Sequence, residues 1–343
     1  MEKIGIIGAT GYTGSELVRI LSYHEEVEIA LITSETYQGK RFSEIHPQFK
    51  NICDIELHSA NQVDNYDLDL VFLALPHGVS MDYVKKWAKK NFKIVDLSGD
   101  FRLSSEEVYQ QWYNKEHTFP EGFEHAVFGL PELNRSLIKM SRLVANPGCF
   151  PTGAILAAYP LLKEKLIDPQ RVIIDSKTGV TGAGVKPKLV THFPNVSGNF
   201  KPYGIKKHRH TIEIQETLSE STKSEALIQF TPHLLPVDRG ILTSVYGIPV
   251  GKVDENEVTE VYKKYYDEEY FIRLIDSAPE IKFVRGTNFV DIKVYYDDRT
   301  NNIMAFSAID NLVKGAAGQA VQNMNLMLGF DENMALDLIP VMP

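Results

Sequence analysis

The sequence of 343 residues has few cysteines and no long apolar segment. Its two cysteines, Cys53 and Cys149, are too few for the disulfide framework of a secreted domain, which favours a reducing compartment. The longest apolar stretch, residues 153–162, is about half the ~20 residues that a membrane-spanning helix needs. The first residues are interrupted by glycines and do not resemble a signal peptide. We therefore expect a soluble, cytoplasmic protein with no membrane partner.

The sequence also lacks an excess of positive charge. Lys and Arg total 36 against 45 for Asp and Glu, which gives a formal net charge of -9. A protein that binds a phosphate backbone needs the opposite balance, so we expect no nucleic-acid partner. Hydrophobic residues make up 43% and charged residues 24%, which is ordinary for a globular protein and excludes a disordered or fibrous chain. The length suits two domains.

The first half of the sequence alternates short apolar strands with helical segments. Strands are predicted at residues 3–8, 27–33, 68–75 and 92–98, with helical patterns after the first and the third. Strands that alternate with helices pair in parallel, so we expect an α/β fold with a Rossmann-type doubly wound parallel sheet. Ligands bind beyond the carboxyl ends of the strands of such sheets. The loops of interest therefore begin at Gly8, Ser34, Pro76 and Ser98.

After about residue 150 the pattern changes to the alternation of a mixed sheet covered on one face, which predicts an α+β domain. Predicted strands cover residues 171–179, 226–235, 241–250, 289–297 and 303–310, and a predicted helix covers 257–270. Small and apolar residues recur at helical spacing in 310–330, so we expect a helix that packs tightly on the first domain. The predicted domains are 1–148 with 312–343, and 149–311.

A glycine turn directly follows the first predicted strand and directly precedes a helix. Gly8, Gly11 and Gly14 form G-x-x-G-x-x-G, and Thr10 and Thr13 add hydroxyl groups. Glycines in this context let the chain turn sharply, let a pyrophosphate approach, and present a helix N-terminus to the anion. The spacing differs from the usual G-x-G-x-x-G, and the alternative is a tight structural turn. The context favours a dinucleotide site.

The sequence leaves the choice of dinucleotide open. Glu35 lies 21 residues past Gly14, near where an acidic residue holds the ribose hydroxyl in an NAD site. Ser34 and its neighbour Thr33, with Lys40 and Arg41 nearby, could instead surround a 2′-phosphate, as in an NADP site. A solvated polar loop is the third interpretation.

Cys149, in the segment NPGCFPTG, is the strongest candidate for a nucleophile. Pro151 suits the first turn of a helix, and Phe150, as the residue before a proline, is expected to be extended. We therefore expect a helix from about Pro151, with Cys149 just ahead of its N-terminus. The helix dipole and the unpaired N–H groups there stabilise a thiolate. The alternative is a buried structural cysteine, which is our interpretation of Cys53.

A cysteine nucleophile beside a nicotinamide suggests one class of reaction. The thiolate expels the leaving group of an activated acyl compound, and hydride reduces the resulting thioester through a thiohemiacetal to an aldehyde. This chemistry needs an acid–base partner and donors for an oxyanion. His208 and His210, which flank Arg209, are the candidate partner, and Thr211 is a candidate cap for the helix that follows. A solvated basic loop is the alternative, and the sequence does not separate the two histidines.

Other polar residues lie where predicted strands end or in glycine-rich loops. Asp100 and Arg102 follow the strand at 92–98 and form either a ligand site or a salt-bridged turn. Gly182 belongs to a glycine-rich loop that can offer backbone donors to an anion, and Arg239 lies in a proline-bounded loop. Histidine, cysteine and acidic residues show no convincing metal spacing, so no metal is expected.

Taken in order, the motifs resemble those of the N-acetyl-γ-glutamyl-phosphate reductases. The matching segments are GATGYTG at 8–14, ALPHGVS at 74–80, VDLSGDFRL at 95–103, GLPE at 129–132, NPGCFPT at 146–152, GAG at 182–184, HRHTIEI at 208–214, FTPHLLPVDRGI at 230–241 and DNLVKGAAGQAVQNMN at 310–325. The cysteine and histidine motifs are the specific ones, since many dehydrogenases share the glycine turn. Two positions depart from the family pattern. Ile212 stands where the family commonly has proline and Phe128 where tyrosine is frequent, which affects local rigidity more than chemistry.

The resemblance implies an oxidoreductase of arginine biosynthesis. It would reduce N-acetyl-γ-glutamyl phosphate with NADPH to N-acetylglutamate 5-semialdehyde and phosphate, without a metal. The resemblance also implies a dinucleotide-binding domain at 1–148 with 312–343, and a catalytic and oligomerisation domain at 149–311. Assembly is expected as a homodimer or homotetramer through the sheet of the second domain. The expected small-molecule partners are the acyl phosphate and phosphate.

The resemblance further implies roles for individual residues. Cys149 is the expected nucleophile, and the segment with His208 and His210 carries the acid–base group. The cofactor is expected to contact Gly8, Thr10, Gly11, Tyr12, Thr13, Gly14, Ser34, Pro76, Ser98, Gly182, Asn311 and Gly315. The substrate is expected to contact Arg102, Ser176, Glu213 and Arg239.

Two other functions compete with this one. A sister semialdehyde dehydrogenase would act on aspartyl phosphate or on a carrier-bound amino-adipyl phosphate, although the net charge of -9 argues mildly against an acidic carrier protein. A non-catalytic NADP-binding sensor would have no use for Cys149 together with His208 and His210.

Overall fold

The computed structural model describes residues 1–341, which divide into two compact units. The first comprises Met1–Pro147 and Ala316–Asp337, and the second comprises Gly148–Gly315 and residues 338–341. The sequence analysis assigned Gly148 and residues 312–315 and 338–341 to the dinucleotide-binding domain, and they belong to the second unit instead. Residues 312–315 continue directly from the last strand of its sheet and stay bonded to its end, because the N–H of Gly315 donates to the carbonyl of Asp310 at 2.9 Å.

The first unit contains a seven-stranded parallel sheet. Its strands are β1 (Glu2–Ile7), β2 (Val27–Thr33), β3 (Leu57–His58), β4 (Leu70–Leu73), β5 (Lys93–Asp96), β6 (Ala126–Phe128) and β7 (Leu143–Ala145). Their order is β3-β2-β1-β4-β5-β7-β6. The chain therefore winds outward in one direction from β1 and in the other from β4, which is the doubly wound arrangement that the alternating pattern predicts. The expected fold class is confirmed.

Five helices connect these strands. They are α1 (Tyr12–Leu21), α2 (Phe42–Ile45), α3 (Ser80–Trp87), α4 (Glu106–Tyr113) and α5 (Pro131–Met140). In α1 the buried positions include Leu17, Val18 and Leu21, which face the sheet at helical spacing. The carboxyl ends of β1 and β4 lie side by side at the point where the strand order reverses, which is where such sheets bind ligands.

The second unit contains a seven-stranded mixed sheet. Its strands are β8 (Val172–Thr178), β9 (Lys201–Pro202), β10 (Ile228–Leu234), β11 (Ile241–Gly247), β12 (Ile272–Leu274), β13 (Val290–Asp297) and β14 (Asn302–Ile309). Their order is β12-β13-β14-β11-β8-β10-β9. The pairs β8–β10 and β12–β13 are parallel, and the remaining pairs are antiparallel. This is the mixed sheet expected from the second half of the sequence.

Four helices belong to the second unit: α6 (Cys149–Lys163), α7 (Phe193–Val196), α8 (His210–Thr222) and α9 (Glu255–Tyr266). α6 packs against α8, α9 and the strands β8, β11 and β14, so one face of the sheet is covered by a helical layer. With 15 residues, α6 is also the longest helix. Within residues 1–341, no helix combines the length and apolar character needed to cross a membrane.

The prediction that the helix after Cys149 begins at about Pro151, with Phe150 extended, is wrong. α6 begins at Cys149 itself, and Gly148 is its extended N-cap with φ -67° and ψ 155°. Pro151 then lies in the first turn, where its missing N–H has no helical partner to lose, so the helix can start before it. Cys149 is the first residue of the helix rather than the residue before it.

The prediction that Thr211 caps the following helix is also wrong. α8 begins at His210, and the N-cap position is taken by Arg209, whose φ of -58° and ψ of -30° are already helical. The N–H of Thr211 donates to the carbonyl of His208 at 2.9 Å, so the chain turns before the predicted start. His210 therefore lies on the helix, in its first turn.

The segment 310–330, predicted as one helix, forms two pieces. Residues Val313–Ala317 make a turn of π-helix, and α10 (Gly318–Leu328) follows and ends at Gly329, which has φ +82°. α10 packs on α1 and α5 of the first unit, and its residues 318–327 are buried. The small side chains of this segment allow α10 to pack closely on α1 and α5.

Two buried carboxylates of the first unit lie at the carboxyl end of β5: Asp96 is its last residue, and Asp100 lies in the loop that follows. Asp96 accepts hydrogen bonds from the N–H of Ser98 at 3.0 Å and from its hydroxyl at 2.8 Å. Asp100 accepts from the N–H groups of Gly78 at 2.6 Å and Met81 at 3.1 Å, and so fixes the loop that enters α3. Burial, with the neighbouring Asp100 carboxylate, raises the pKa of Asp96 to about 6.

We expect Asp96→Asn to remove part of the pH dependence of stability. Because the folded pKa of Asp96 lies above an unfolded value of about 3.9, the native state loses stability as pH rises from about 4 to about 6. Between pH 4.5 and 7.5, wild type should lose on the order of 2 kcal/mol more free energy of unfolding than the variant. Urea denaturation at both pH values measures this difference. The exposed Asp298→Asn should behave as wild type, and parallel losses in wild type and Asp96→Asn would contradict the raised pKa.

Candidate active site

The glycine turn between β1 and α1 combines crowded and open positions. Gly8 has φ +88°, and a Cβ there would lie 2.5 Å from the carbonyl oxygen of Ala74. A Cβ on Gly14 would overlap the carbonyl of Gly8, so α1 packs directly on the turn. At Gly11 the nearest atom would be 3.9 Å away, and as N-cap this residue leaves the first N–H groups of α1 without a side-chain cap. The turn therefore fits a dinucleotide pyrophosphate.

Hydroxyl groups at the end of β2 adjoin this turn. The hydroxyl of Thr33 accepts the N–H of Gly8 at 3.2 Å, and the hydroxyls of Thr10 and Ser34 form a hydrogen bond of 3.1 Å. The structure thus brings the predicted cofactor contacts Thr10 and Ser34 together with the glycine turn. The other two predicted contacts of the turn, Tyr12 (exposed) and Thr13 (half-buried), begin α1.

The carboxylate of Glu35, the candidate ribose ligand of an NAD site, is engaged locally. It accepts hydrogen bonds from the N–H of Ala60 at 2.9 Å, the hydroxyl of Ser59 at 3.2 Å and the amide of Gln38 at 3.0 Å. Ser59 and Ala60 begin a short 3₁₀ helix, Ala60–Asn65, so these bonds hold the start of that helix. Glu35 therefore has a structural role at the end of β2.

The remaining predicted residues of the first unit differ in accessibility. Pro76 is exposed in the loop after β4. Ser98 is buried, donates its hydroxyl hydrogen to Asp96 and accepts the N–H of Asp100 at 3.1 Å, so it shapes the loop after β5. Arg102, a predicted substrate contact, is half-buried and donates to the carbonyl of Leu97 at 2.9 Å.

The N-termini of α6 and α8 meet in the second unit. The N–H of Gly148, directly before Cys149, donates to the carboxylate of Glu213 at 2.7 Å. Glu213 lies in the first turn of α8, three residues after His210, and is 1% exposed. This hydrogen bond ties the loop of the nucleophile to the helix of the histidine. Cys149 is a half-buried cysteine at a helix N-terminus, which favours a thiolate.

Gly315 lies against Cys149. A Cβ on Gly315 would lie 2.9 Å from the Cβ of Cys149 and 3.2 Å from the carbonyl oxygen of Asp310. A glycine is therefore required here by close packing on the nucleophile. The sequence analysis predicted Gly315 as a cofactor contact and did not foresee this neighbour.

Cys149 opens into a cavity of about 250 Å³ within the second unit. Both predicted histidines, His208 and His210, line it, as does Gly182. Polar side chains from a strand and two connecting segments add hydrogen-bonding groups: Thr178, Lys188, Thr191 and Arg209. The structure thus brings the predicted nucleophile and both predicted acid–base residues to one cavity.

His208 is enclosed by aromatic rings whose centroids lie 5.5 to 5.6 Å from its own, those of Phe150, Tyr203 and Phe230. This burial, with the charge of Arg209, lowers the pKa of His208 to about 4. The Nδ1 of His208 accepts the N–H of His210 at 3.2 Å, so the neutral ring carries its proton on Nε2. His208 is therefore a neutral hydrogen-bond donor near pH 7.

Tyr203 is a cavity residue that the sequence analysis missed. Burial, with the nearby Cys149, raises the pKa of Tyr203, so its hydroxyl stays protonated. It lies on the chain between β9 and α8, five residues before His208. An aromatic residue ahead of the basic cluster KKHRH was the available signal, but nothing in it distinguishes a cavity tyrosine from a packing one.

Three further predicted residues lie next to the cavity and are not part of its lining. The Oδ1 of Asn311 accepts the N–H of Gly240 at 2.8 Å, and its amide donates to the hydroxyl of Thr181 at 2.9 Å. Arg239 forms an ion pair of 3.3 Å with Asp310. The third, Ser176, is fully buried on β8 and hydrogen-bonded to the hydroxyl of Thr243 on β11 at 2.8 Å.

Family models match both units of the chain. One, described as semialdehyde dehydrogenase, NAD binding domain, matches residues 3–141, and the other, semialdehyde dehydrogenase, dimerisation domain, matches residues 149–311. With the parallel and mixed sheets, the glycine turn and a cysteine heading a helix, these matches define the class of the semialdehyde dehydrogenases.

Curated relatives define the family within this class. The chain is 48% identical over 343 residues to the N-acetyl-gamma-glutamyl-phosphate reductase of Methanocaldococcus jannaschii, with 98% of each chain covered. It is also 48% identical over 337 residues to the enzyme of the same name from Pelotomaculum thermopropionicum, with 97% of each covered. The chain belongs to the family of the N-acetyl-γ-glutamyl-phosphate reductases, and the resemblance stated from its motifs is confirmed.

Solved structures share the fold at low sequence identity. Aspartate semialdehyde dehydrogenase with NADP from Candida albicans is 18% identical, with a TM-score of 0.72 over 96% of this chain and 99% of that chain. Aspartate semialdehyde dehydrogenase II from Vibrio cholerae is 17% identical, with a TM-score of 0.73 over 96% of this chain and 99% of that chain. These likenesses support the two-sheet architecture. No group of three or more acidic, histidine or cysteine side chains suited to a metal ion occurs among the residues described.

We expect Gly315→Ala to displace the nucleophile. The added Cβ would be 2.9 Å from the Cβ of Cys149, so the start of α6 must move. The rate of alkylation of Cys149 by iodoacetamide should change by roughly tenfold, because reactivity depends on position and thiolate character. The matched Gly182→Ala, whose Cβ would meet its nearest atom at 3.6 Å, should change the rate far less. Wild-type alkylation in Gly315→Ala would show that the close packing does not constrain Cys149.

Proposed function

We propose that this chain reduces N-acetyl-γ-glutamyl phosphate with NADPH to N-acetylglutamate 5-semialdehyde and phosphate, a reaction of arginine biosynthesis. The observation that carries the proposal is Cys149 at the start of α6, in one cavity with His208 and His210. The relatives that carry the name of this reductase match nearly the whole chain at 48% identity. The chain is accordingly an oxidoreductase that acts on an acyl phosphate.

Cys149 acts as the nucleophile in this proposal. Its thiolate sulfur attacks the acyl carbon, a C–S bond forms, and the bond to the phosphate oxygen breaks. The phosphate leaves with the bonding electron pair and takes up a proton. The α6 N-terminus stabilises the thiolate before attack. The loop with Gly182, predicted to offer backbone donors to an anion, uses the N–H groups of Gly179 and Gly182 within the protein, where they donate to the carbonyls of Gly240 and Gly179.

The first unit would hold the dinucleotide. NADPH, when bound there, would supply the hydride for reduction of the Cys149 thioester. Gly8, Gly11 and Gly14 would hold the pyrophosphate, with the hydroxyls of Thr10 and Ser34 beside them. We propose NADP rather than NAD because the carboxylate of Glu35, which a ribose hydroxyl would need, is engaged with Ala60 and Ser59.

We assign proton transfer to His210 and positioning to His208. A pKa of about 4 makes His208 a poor proton acceptor near pH 7, and its Nδ1 is occupied by the N–H of His210. His210, 4.8 Å from His208 between ring centroids, lines the same cavity. In this assignment His210 gives a proton to the thiohemiacetal oxygen and takes it back as the C–S bond breaks. The products are the aldehyde and the Cys149 thiolate.

We propose a different set of substrate contacts from the one that the sequence predicts. Glu213 and Ser176 are buried and hydrogen-bonded within the protein, so we propose structural roles for both. Tyr203 joins the proposed contacts as a protonated hydroxyl in the cavity. Arg102 and Arg239 remain proposed ligands of the substrate anions.

We propose that the chain assembles as a homo-oligomer through the open face of the mixed sheet. The helical layer with α6, α8 and α9 covers the other face of this sheet. On the open face Ile173 of β8 is 44% exposed and Tyr246 of β11 is 36% exposed, and these strands are neighbours. Exposed apolar side chains at the centre of a sheet favour a second protein surface as their partner. The description of the matching model as a dimerisation domain supports this assembly.

The experiment that tests the function is the reverse reaction, followed by the absorbance of the reduced nicotinamide. N-acetylglutamate semialdehyde, phosphate and NADP should give a signal that requires phosphate and weakens with NAD. Cys149→Ser should abolish it, whereas Cys53→Ser, which changes a buried cysteine of the first unit, should retain it. A signal with aspartate semialdehyde instead would identify a sister enzyme, and silence with every aldehyde would favour a sensor.

We expect the two histidines to differ in the effect of substitution. His210→Asn should lower kcat by roughly 100-fold or more, the usual effect of losing an acid–base group. His208→Asn retains an oxygen that can accept the N–H of His210, so it should lower kcat far less. A loss of roughly 100-fold in His208→Asn, with only a small loss in His210→Asn, would reverse the assignment.

A further inference from the structure

Asp310 is a fully buried carboxylate at the end of β14 to which neither the motifs nor the proposed chemistry gives a role. One carboxylate oxygen accepts the N–H groups of Leu312 at 2.8 Å and Val313 at 3.1 Å. The other accepts the N–H of Gly286 at 2.7 Å and faces the Nη1 of Arg239 at 3.3 Å. A single buried carboxylate therefore joins three loops of the second unit.

Arg239 lies in the turn between β10 and β11, which packs on the wall of the cavity. The N–H of Gly179 donates to the carbonyl of Gly240 at 3.0 Å, and the N–H of Thr181 donates to the carbonyl of Asp238 at 3.2 Å. Gly179 itself lines the cavity, and a Cβ on it would lie 2.8 Å from the backbone nitrogen of Arg239. The Arg239 side chain is 22% exposed, while Asp310 is enclosed. Asp310 is therefore the interior member of the pair, and Arg239 is the member nearer the solvent, in a turn beside the cavity.

We propose that Asp310 is a positioning residue that orients the guanidinium of Arg239 to bind an oxyanion of the substrate, either its carboxylate or its phosphate. The inference rests on the proposed function, since it concerns the same cavity. A guanidinium is planar, so a fixed acceptor on one edge sets the direction of its other N–H groups. Asp310 itself is held by three backbone donors and does not move with the arginine.

Asp310 also accepts the N–H groups of the turn before Gly315, and Gly315 packs on Cys149. A substitution of Asp310 alone therefore does not distinguish a loss of Arg239 orientation from a disturbance of the fold. Arg239 makes the separation possible, because its guanidinium can be removed while Asp310 keeps its three backbone hydrogen bonds. The decisive readouts are the KM values for phosphate and for the semialdehyde, measured separately in the reverse reaction. A purely structural role would change stability and kcat without selecting one reactant.

The first experiment uses Arg239→Met, which keeps the apolar stem and removes the charge. We expect the KM for one reactant to rise by about tenfold or more, with kcat changed by less than about threefold, as for loss of a charged hydrogen bond made in the bound state. A rise for phosphate identifies the phosphate as the anion, and a rise for the semialdehyde identifies its carboxylate. Arg239→Lys should restore little, since an ammonium lacks the planar fork.

The second experiment tests the coupling of the two residues. Asp310→Asn should raise the same KM by about fivefold or more, and the double variant should bind no worse than Arg239→Met alone. Asp238→Asn is the matched control, because it removes an exposed ion pair, with Arg285 at 2.5 Å, from the same turn. Its KM values should stay near those of wild type. The rate of Cys149 alkylation should be unchanged in Arg239→Met, which shows that the cavity is intact.

Unchanged KM values in Arg239→Met, or additive effects in the double variant, would overturn the inference. If Asp310→Asn does not fold, Asp310→Glu provides the test, because it keeps the charge but shifts the carboxylate. A wild-type KM in that variant would overturn the positioning role. An inactive wild-type protein contradicts the proposed function instead, so the two failures are distinguishable.

Discussion

The hydrogen bond from the N–H of Gly148 to the buried carboxylate of Glu213 joins the two helices on which the cavity depends. α6 offers Cys149 as its first residue and α8 offers His210 as its first residue. Each helix alone presents one reactive group at an N-terminus, and only their pairing puts both groups in one cavity. A carboxylate that is 1% exposed needs hydrogen-bond donors, so the contact satisfies Glu213 and fixes the nucleophile at the same time.

The two units build their sites by opposite means. In the first unit the site depends on glycines, which have no side chain. Gly8 and Gly14 permit close backbone packing, and Gly11 leaves the N-terminus of α1 without a side-chain cap. In the second unit the site is made by side chains, and buried polar groups behind them hold the loops. Asn311 joins the turn of Gly240 to Thr181, and Asp310 joins three loops. Groups that are themselves fixed in this way can hold a reacting geometry, which the side chains of free loops cannot.

The features that the sequence predicted well depend on residues close together in the chain. Strand periodicity, the glycine turn and Cys149 beside a helix start all belong to this kind. The sequence predicts the start of α6 two residues too late. The residue before a proline tends to be extended, but here Gly148 takes the extended N-cap position and Phe150 is already helical. Burial of Glu213, and the pairing of Asp310 with Arg239 across 71 residues, depend on contacts between distant segments. No local pattern encodes such contacts, so the sequence predicts Glu213 as a substrate contact, whereas we propose a structural role for it.

The helix α10 completes the first unit although it comes near the end of the chain. Asn325 hydrogen-bonds to His24 at 3.0 Å, and Asn323 donates to the carbonyl of Gly129 at 2.8 Å, so the helix lies on elements made some 200 to 300 residues earlier. During synthesis on the ribosome, all seven strands of the first sheet emerge before the helix that covers α1 and α5. The nascent first unit therefore exposes apolar surface while the second unit is translated, and a chain that stalls in that interval is a substrate for chaperones and proteases.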